Sequence, residues 1–224
     1  MVRLDYYIWN WEVVTSRLPE FFRGAWIDLY VTIIGFSAAL LIGLTVAILR
    51  VSGARFATVP SYAYTQFVRG VPGYVLLLWI YFGLSQVIGI NLEPLQAVVL
   101  SLAIGGSGYT SEIFRGGIIA IDRGQREAAT SLGMSRRATY RDVILPQAIR
   151  IIVPPLGNIF VGQLKGATIM SVIAAPDMVF VAQDLIYRYL APFEAYTAVA
   201  VILIAMVSVF SGLVYLLERK LRIP

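Results

Sequence analysis

Long apolar runs alternate with short polar and basic stretches along this chain of 224 residues. Five of the runs reach ~20 residues or more with few charges, the length at which an α-helix crosses the hydrocarbon core of a bilayer. The predicted spans are Ala25–Leu49, the segment from Pro60 to Ile88, Leu95–Ile121, Leu156–Val181 and Tyr196–Leu217. The pattern therefore predicts an all-α integral membrane protein with five transmembrane helices.

Basic residues follow the odd-numbered spans and are scarce after the even-numbered ones. They are Arg50 and Arg55, Arg123 and Arg126, and Arg219, Lys220 and Arg222. The loop after span two has no Lys or Arg, and the loop after span four has only Arg188. Because basic residues accumulate on the cytoplasmic side, we expect the N-terminus outside and the C-terminus in the cytoplasm.

The aromatic residues Trp9 and Trp11 suit a segment at the headgroup level, so residues 1–23 are predicted to form a periplasmic or interfacial N-terminal segment. Residues 24–222 have no internal repeat or low-complexity linker and are predicted to form one transmembrane domain.

Composition excludes several kinds of chemistry. Cysteine and histidine are absent, so disulfides, thiolate or imidazole metal sites and Cys/His or Ser-His-Asp nucleophiles are ruled out, and we expect no catalytic or metal-binding residues. The net charge of +5 reflects basic residues beside the apolar runs, which fits membrane topology better than nucleic-acid binding. No G-x-x-x-x-G-K-[ST] phosphate loop is present, so we expect no nucleotide bound by that mechanism and no cofactor on this chain.

One polar stretch, residues 127–146, reads EAATSLGMSRRATYRDVILP between the third and fourth spans. Helix-forming residues begin it, and Glu127 lies in a first turn, where the helix dipole favours an acid. Gly133 is predicted either to stop this helix or to allow a close approach, and a second helical stretch is predicted to close at Leu145 and Pro146. The prediction is a compact knob at the membrane surface that requires a binding partner.

The spacing of this stretch resembles the signature loop of ABC importer permeases, with Glu-Ala-Ala, three residues, Gly, nine residues, an aliphatic, one residue and Leu-Pro. Val143 stands where that pattern has isoleucine. Three further segments, FVRGVP at 67–72, YTSEIFRGGI at 109–118 and QLKGATIMSVI at 163–173, resemble permeases for polar amino acids of the histidine, glutamine and arginine type. In the last segment Gly-Ala-Thr replaces the Asp-Thr-Ser of the family.

This resemblance implies the transmembrane domain of a type I ABC importer in a bacterial cytoplasmic membrane. It implies a second permease subunit, identical or paralogous, two ATPase subunits that bind ATP and Mg, and a solute-binding protein. The imported solute would be a polar amino acid or a related zwitterion. The residues expected to contact the ATPase are Glu127, Ala128, Ala129, Leu132, Gly133, Leu145 and Pro146.

Charges inside spans are costly, so each is a candidate for the substrate path. Lys165 lies near the predicted midplane, where it either lines the path or is buried against an acid or backbone carbonyls. A half-helix starting at Pro72, after Arg69 and before Tyr74, would point its positive end inward, or the break is a kink needed for subunit packing.

Three further charged residues favour structural interpretations. Glu112 and Arg115 are spaced to pair on one helix face, as an ion pair or an inner gate. Asp28 would attract a cationic solute or face water at the membrane interface. Gly105, Gly106 and Gly108 are expected to allow close helix approach.

Two other functional classes fit the sequence less well. An ion-coupled secondary transporter or channel would need no ATPase, but such carriers usually show repeated halves, and none is visible. A membrane enzyme is disfavoured by the absence of His, Cys and a carboxylate pair at catalytic spacing.

Overall fold

The computed structural model describes residues 9–221, which are helical without any strand. The helices are α1 (Glu12–Thr15), α2 (Leu18–Val51), α3 (Arg55–Gly70), α4 (Gly73–Leu78), α5 (Leu84–Ile88), α6 (Pro94–Ile119), α7 (Arg123–Ser131), α8 (Arg136–Ala138), α9 (Leu145–Ala167), α10 (Met178–Tyr189) and α11 (Pro192–Leu221). The π-helical segments Trp79–Gly83 and Thr139–Ile144 join α4 to α5 and α8 to α9, and the 3₁₀ segment Thr168–Ile173 follows α9. Residues 1–8 of the predicted interfacial segment, and Arg222, lie outside the described residues.

Four helical stretches within residues 9–221 are long and apolar enough to cross a membrane: Leu18–Val51, Pro94–Ile119, Arg136–Ile173 and Pro192–Leu221. The second predicted span is broken, because α3 and the stretch Gly73–Ile88 meet at an angle of 102°. Counting this bent pair as one span gives the five that hydropathy predicts. Below, the end of the bundle that carries α7 is called the loop end.

The fourth span differs from the predicted Leu156–Val181. Its helix starts at Arg136 and ends at Ile173, after which Ala174 adopts a left-handed conformation with φ 57°. Asp177 then caps a separate helix, α10, by accepting a hydrogen bond from the Phe180 amide at 2.7 Å. The apolar run past Ile173 therefore belongs to α10, which packs against α2 and α11.

The prediction that the second stretch of the polar loop closes at Pro146 is also wrong. The helix continues through Pro146 into α9, and the π-helical segment Thr139–Ile144 lies immediately before it. A π turn moves each hydrogen bond one residue further along the chain. We attribute the uninterrupted helix to this shift, because a proline ring normally clashes with the carbonyl four residues earlier.

Small residues at every fourth position of α2 pack against α6. The facing pairs are Gly35 with Leu102, Ala39 with Gly106, and Gly43 with Thr110. Both sets of numbers rise together, so the two helices run parallel. The Thr110 hydroxyl donates to the Ala39 carbonyl at 2.8 Å, and a Cβ at Gly43 would overlap Thr110 Oγ1. We call this close contact of small residues the seam between α2 and α6. It suits a bilayer, where helices associate through close packing rather than the hydrophobic effect.

Candidate functional site

The polar loop folds as a short helix with a defined start and stop. The Asp122 side chain caps α7 by accepting from the Gly124 amide at 2.6 Å. At the other end the Gly133 amide donates to Thr130 O at 2.9 Å, and the Met134 amide to Ala129 O at 3.1 Å. This pair of bonds closes a helix through a left-handed residue, and Gly133 has φ 73°. Gly133 is therefore the helix stop that the sequence indicates. We call residues 122–135 the knob.

Most of the proposed ATPase contacts are exposed. Ala129 alone is buried, which anchors α7 to the π-helical segment that follows. Glu127 and Ala128 are exposed, and Leu132 is 81% exposed at the tip of the helix. Leu145 and Pro146 are also exposed, at the start of α9. The knob thus presents an unburied leucine among polar residues at the loop end, a surface on which a partner protein can dock.

A cavity of about 300 Å³ lies between the break after α3, the middle of α6 and the second half of α9. Its lining is mostly apolar, and the polar lining residues are Ser101, Tyr109, Asn158 and Gln163. Among the described residues, no charged side chain lines it. A cavity of this kind suits a small solute held by a few hydrogen bonds.

Gln163 was not recognised from the sequence as a candidate residue. Its side chain crosses the face of α6 at Gly106, and its Nε2 donates to the Leu102 carbonyl at 2.8 Å. Its Oε1 is buried and has no hydrogen-bond partner in residues 9–221. An orphan acceptor in a cavity wall is costly unless something binds it.

The break predicted around Pro72 forms the rim of this cavity. Val71 is extended, with ψ 124°, Pro72 caps the new helix, and α4 starts at Gly73. Val71 and Gly73 both line the cavity, so the positive end of α4 lies beside it. Tyr74 is exposed and does not line the cavity.

Three arginines lie within ion-pair distance of Glu112, near the loop end. The expected pair with Arg115 forms at 2.8 Å, and Arg50 also bonds to Glu112. Arg69 lies 3.9 Å from the same carboxylate, and its guanidinium stands 5.4 Å from the Tyr109 ring centroid. Arg69 and Glu112 thus belong to one ion-pair cluster. Sequence reasoning missed Arg50, since the pair joins α2 and α6.

Lys165 and Asp28 lie outside the cavity lining. Gln163, two residues before Lys165, bonds to Leu102, and Lys165 lies eight residues before Ile173, where the fourth span ends. Its place near the membrane midplane stays a prediction. It is exposed and forms no ion pair within the described part of the chain, which contradicts burial against an acid.

Asp28 is fully buried, so the interpretation that it faces water is wrong. It lies beside Asp177, whose backbone, with that of Met178, packs on Gly24. Burial raises the pKa of the Asp177 carboxyl to about 6, against the opposing effect of backbone hydrogen bonds at the start of α10. The sequence missed this pair because Asp177 was assigned to a span.

A family profile described as "Binding-protein-dependent transport system inner membrane component" matches residues 24–223. The glutamine transport system permease protein GlnP of Escherichia coli (strain K12) is 32% identical, over 96% of this chain and 98% of the relative. The arginine transport system permease protein ArtQ of Bacillus subtilis (strain 168) is 31% identical, over 95% and 97%.

Solved structures share the fold. A crystal structure of an amino acid ABC transporter with histidines has a chain that superposes with a TM-score of 0.89 at 37% identity, covering 96% of this chain and 100% of that one. A chain of the MetNI methionine ABC transporter superposes with a TM-score of 0.79 at 19% identity, covering 93% and 99%.

Proposed function

Because this chain belongs to the family of binding-protein-dependent transport system inner membrane components, and is thus a multi-pass permease of the ABC importer type, we propose that it imports a polar amino acid or related zwitterion. The solute class is supported by relatives named for glutamine and arginine transport that match along nearly their whole length.

The cavity supports the same proposal. The positive end of α4 at its rim suits the carboxylate of a zwitterion. Ser101, Asn158 and the free Oε1 of Gln163 provide hydrogen-bonding groups for the rest of the solute. Lys165, which is exposed and directly precedes Gly166 of the cavity lining, would add a positive charge near the proposed path.

The knob carries the proposal that transport is coupled to a separate ATPase. The single supporting observation is that α7, stopped by left-handed Gly133 and tipped by exposed Leu132, leads into the helix that walls the cavity. ATP and Mg bind the ATPase, and a second permease chain and a solute-binding protein complete the importer. The ion-coupled transporter considered above would need no such partner.

Substitution of two glycines in the same backbone conformation tests whether the knob couples transport to the ATPase. Gly133 and Gly53 both have positive φ, 73° and 77°, and a Cβ would meet no other atom within 4 Å at either position. Alanine at each costs about 1–2 kcal/mol of backbone strain. We expect Gly133→Ala to lower ATPase co-purification and solute-stimulated ATP hydrolysis, while Gly53→Ala leaves both unchanged. Equal effects of the two variants would contradict the knob as the docking element.

We also propose that the loop end is cytoplasmic and the N-terminus external, because basic residues cluster at the loop end. The native chain has no cysteine, so a single Ser135→Cys variant reports on the knob alone. It should react with a membrane-impermeant maleimide only after the membrane is opened. Labelling in intact cells would contradict the proposal and show that the knob is external.

A further inference from the structure

A groove of about 470 Å³ opens at the loop end, outside the cavity described above. It lies where α2 ends, α3 begins and α6 ends. Two arginines, Arg50 and Arg115, contribute to its wall together with Thr58 and Tyr62. The apolar lining residues are Val51, Val59 and Ile119.

The positive charge in this groove exceeds the negative charge that balances it. Within residues 9–221, Glu112 is the single carboxylate that pairs with Arg50 and Arg115, and Arg69 also lies near it. Arg50 donates a hydrogen bond through Nη1 and Arg115 through Nε, and Arg115 Nη2 lies 2.8 Å from the same Glu112 oxygen as an ion pair. Within residues 9–221 the other guanidinium nitrogens have no acceptor, although a guanidinium carries five N–H donors.

Solvent does not compensate for this excess at Arg50, whose side chain is only 9% exposed. The Arg50 guanidinium also lies over the Tyr62 ring, 5.4 Å from its centroid, so the ring helps to fix its position. A buried cation with unused donors is costly unless an anion approaches. The groove is therefore suited to an anion with several acceptor oxygens.

Thr58 supplies a further polar group. Its Oγ1 is buried and has no hydrogen-bond partner in the described chain. Helical threonines divide between two χ1 rotamers, so the hydroxyl can turn toward a ligand in the groove at low cost. A phosphate oxygen would give it the partner that it lacks.

The surroundings identify the source of the phosphate. Val59 and Ile119 are 64% and 60% exposed; Val59 lies near the start of α3, and Ile119 is the last residue of α6, at the loop end. Exposed apolar side chains around a basic groove suit acyl chains below a headgroup, whereas a free phosphate ion would gain nothing from them. Basic grooves between spans at this level are a known form of lipid recognition.

We propose that the groove formed by Arg50, Arg115, Thr58 and Tyr62 is a binding site for the phosphate of an anionic phospholipid. The acyl chains lie against Val51, Val59 and Ile119. The site is separate from the solute cavity, so it stands independently of the solute that the permease carries.

The test is a native mass spectrometry titration of the full-length permease, in the complex with which it is purified, with phosphatidylglycerol. Phosphatidylcholine and glycerol 3-phosphate serve as the comparison ligands. Both lipids carry a phosphate, but the choline ammonium cancels the charge of phosphatidylcholine and is repelled by Arg50 and Arg115. Phosphatidylglycerol should therefore bind at least about tenfold more tightly, a difference that like-charge repulsion is large enough to produce. Glycerol 3-phosphate should displace it only at much higher concentration.

Three variants separate a built site from general surface charge. Arg115→Gln should lower the phosphatidylglycerol affinity at least about tenfold, and Thr58→Val, which changes no charge, should lower it about threefold or more. Arg55→Gln removes an exposed arginine outside the groove lining and should cost no more than about fivefold, the effect of one surface charge.

Thr58→Val also keeps the proposal testable if Arg115→Gln fails to fold. Without lipid the valine should raise the thermal midpoint, because an orphan hydroxyl is removed, yet with lipid the stabilisation should be smaller than in the parent. Equal affinity for both lipids, displacement by equimolar glycerol 3-phosphate, or unchanged lipid affinity in both groove variants would overturn the proposal. So would loss of the ATPase from Arg115→Gln with lipid affinity intact.

Discussion

Gly105 and Gly106 are neighbours in α6, but only Gly106 lies in the parallel contact between α2 and α6. We therefore expect substitution by alanine to destabilise the protein at 106 and not at 105. A Cβ at Gly106 would overlap the Gln163 amide and come within 2.9 Å of the Ala39 Cβ. A Cβ at Gly105 would meet only Leu76 Cδ2, at the ordinary distance of 3.5 Å. Gly105→Ala is therefore a control with the same change of composition, one residue away.

The expected cost at Gly106 has two parts. The Ala39 Cβ is fixed to the α2 backbone and cannot rotate away, so the helices must separate, at about 1–3 kcal/mol for overpacking. Gln163 must also leave the Leu102 carbonyl, which costs about 1–3 kcal/mol when a buried group loses its partner. Alanine returns about 1 kcal/mol through its better helix propensity. The net expectation is a loss of about 3 kcal/mol.

Thermal unfolding in one detergent measures this prediction. For a chain of this length 1 kcal/mol corresponds to about 2–4 °C, so Gly106→Ala should melt about 6–12 °C below the parent. Gly105→Ala should melt at or up to about 4 °C above it, because only the propensity gain remains. Equal midpoints for the two variants would refute the argument that contact across the seam requires glycine at 106.

Three further predictions concern the charged groups. Glu112→Gln removes the charge that balances the clustered arginines and should lower the free energy of unfolding by about 3 kcal/mol. Arg69 lies 3.9 Å from Glu112 and its side chain is 40% exposed, so Arg69→Gln should lower it by under about 1 kcal/mol. Similar thermal midpoints for the two variants would contradict the ion-pair cluster. Asp177 binds its proton more tightly in the folded state, so stability should fall as pH rises from about 4 through about 6. Asp177→Asn keeps a capping side chain and should flatten that pH profile, and an unchanged profile would exclude Asp177 as its source. Lys165→Met should slow transport without releasing the ATPase, and transport at the parental rate would reduce Lys165 to a structural residue.

Hydropathy and loop spacing predicted the spans and the knob because those features depend on local sequence. Gly133 was identifiable as a helix stop from its neighbours alone. The end of the fourth span was not, because the left-handed turn at Ala174 occurs inside an apolar run and leaves no hydropathy signal. Continuation through Pro146 depends on a π turn that no residue pattern announces.

The cavity and ion-pair residues were harder to predict because their partners are distant in sequence. Arg50 looks like an ordinary residue after a span, and its bond to Glu112 exists only once α2 and α6 pack together. Gln163 carries a signal in the sequence, since a glutamine inside a span needs a hydrogen-bond partner, but that partner, the Leu102 carbonyl, is known only from the packing of α9 on α6. Asp28 looked accessible because the packing of α10 over it cannot be read from α2.

The uninterrupted helix from Arg136 to Ile173 joins the knob to the wall of the cavity. Its 38 residues form a rod roughly 55 Å long, stiff over most of its length. The points at which it can bend are the π turn at Thr139–Ile144 and the proline pair Pro154 and Pro155. The part after the prolines, which bears Gln163, therefore moves as one rigid segment. A displacement of the knob therefore tilts that segment and moves the cavity wall, whereas a flexible connecting loop would absorb the same displacement.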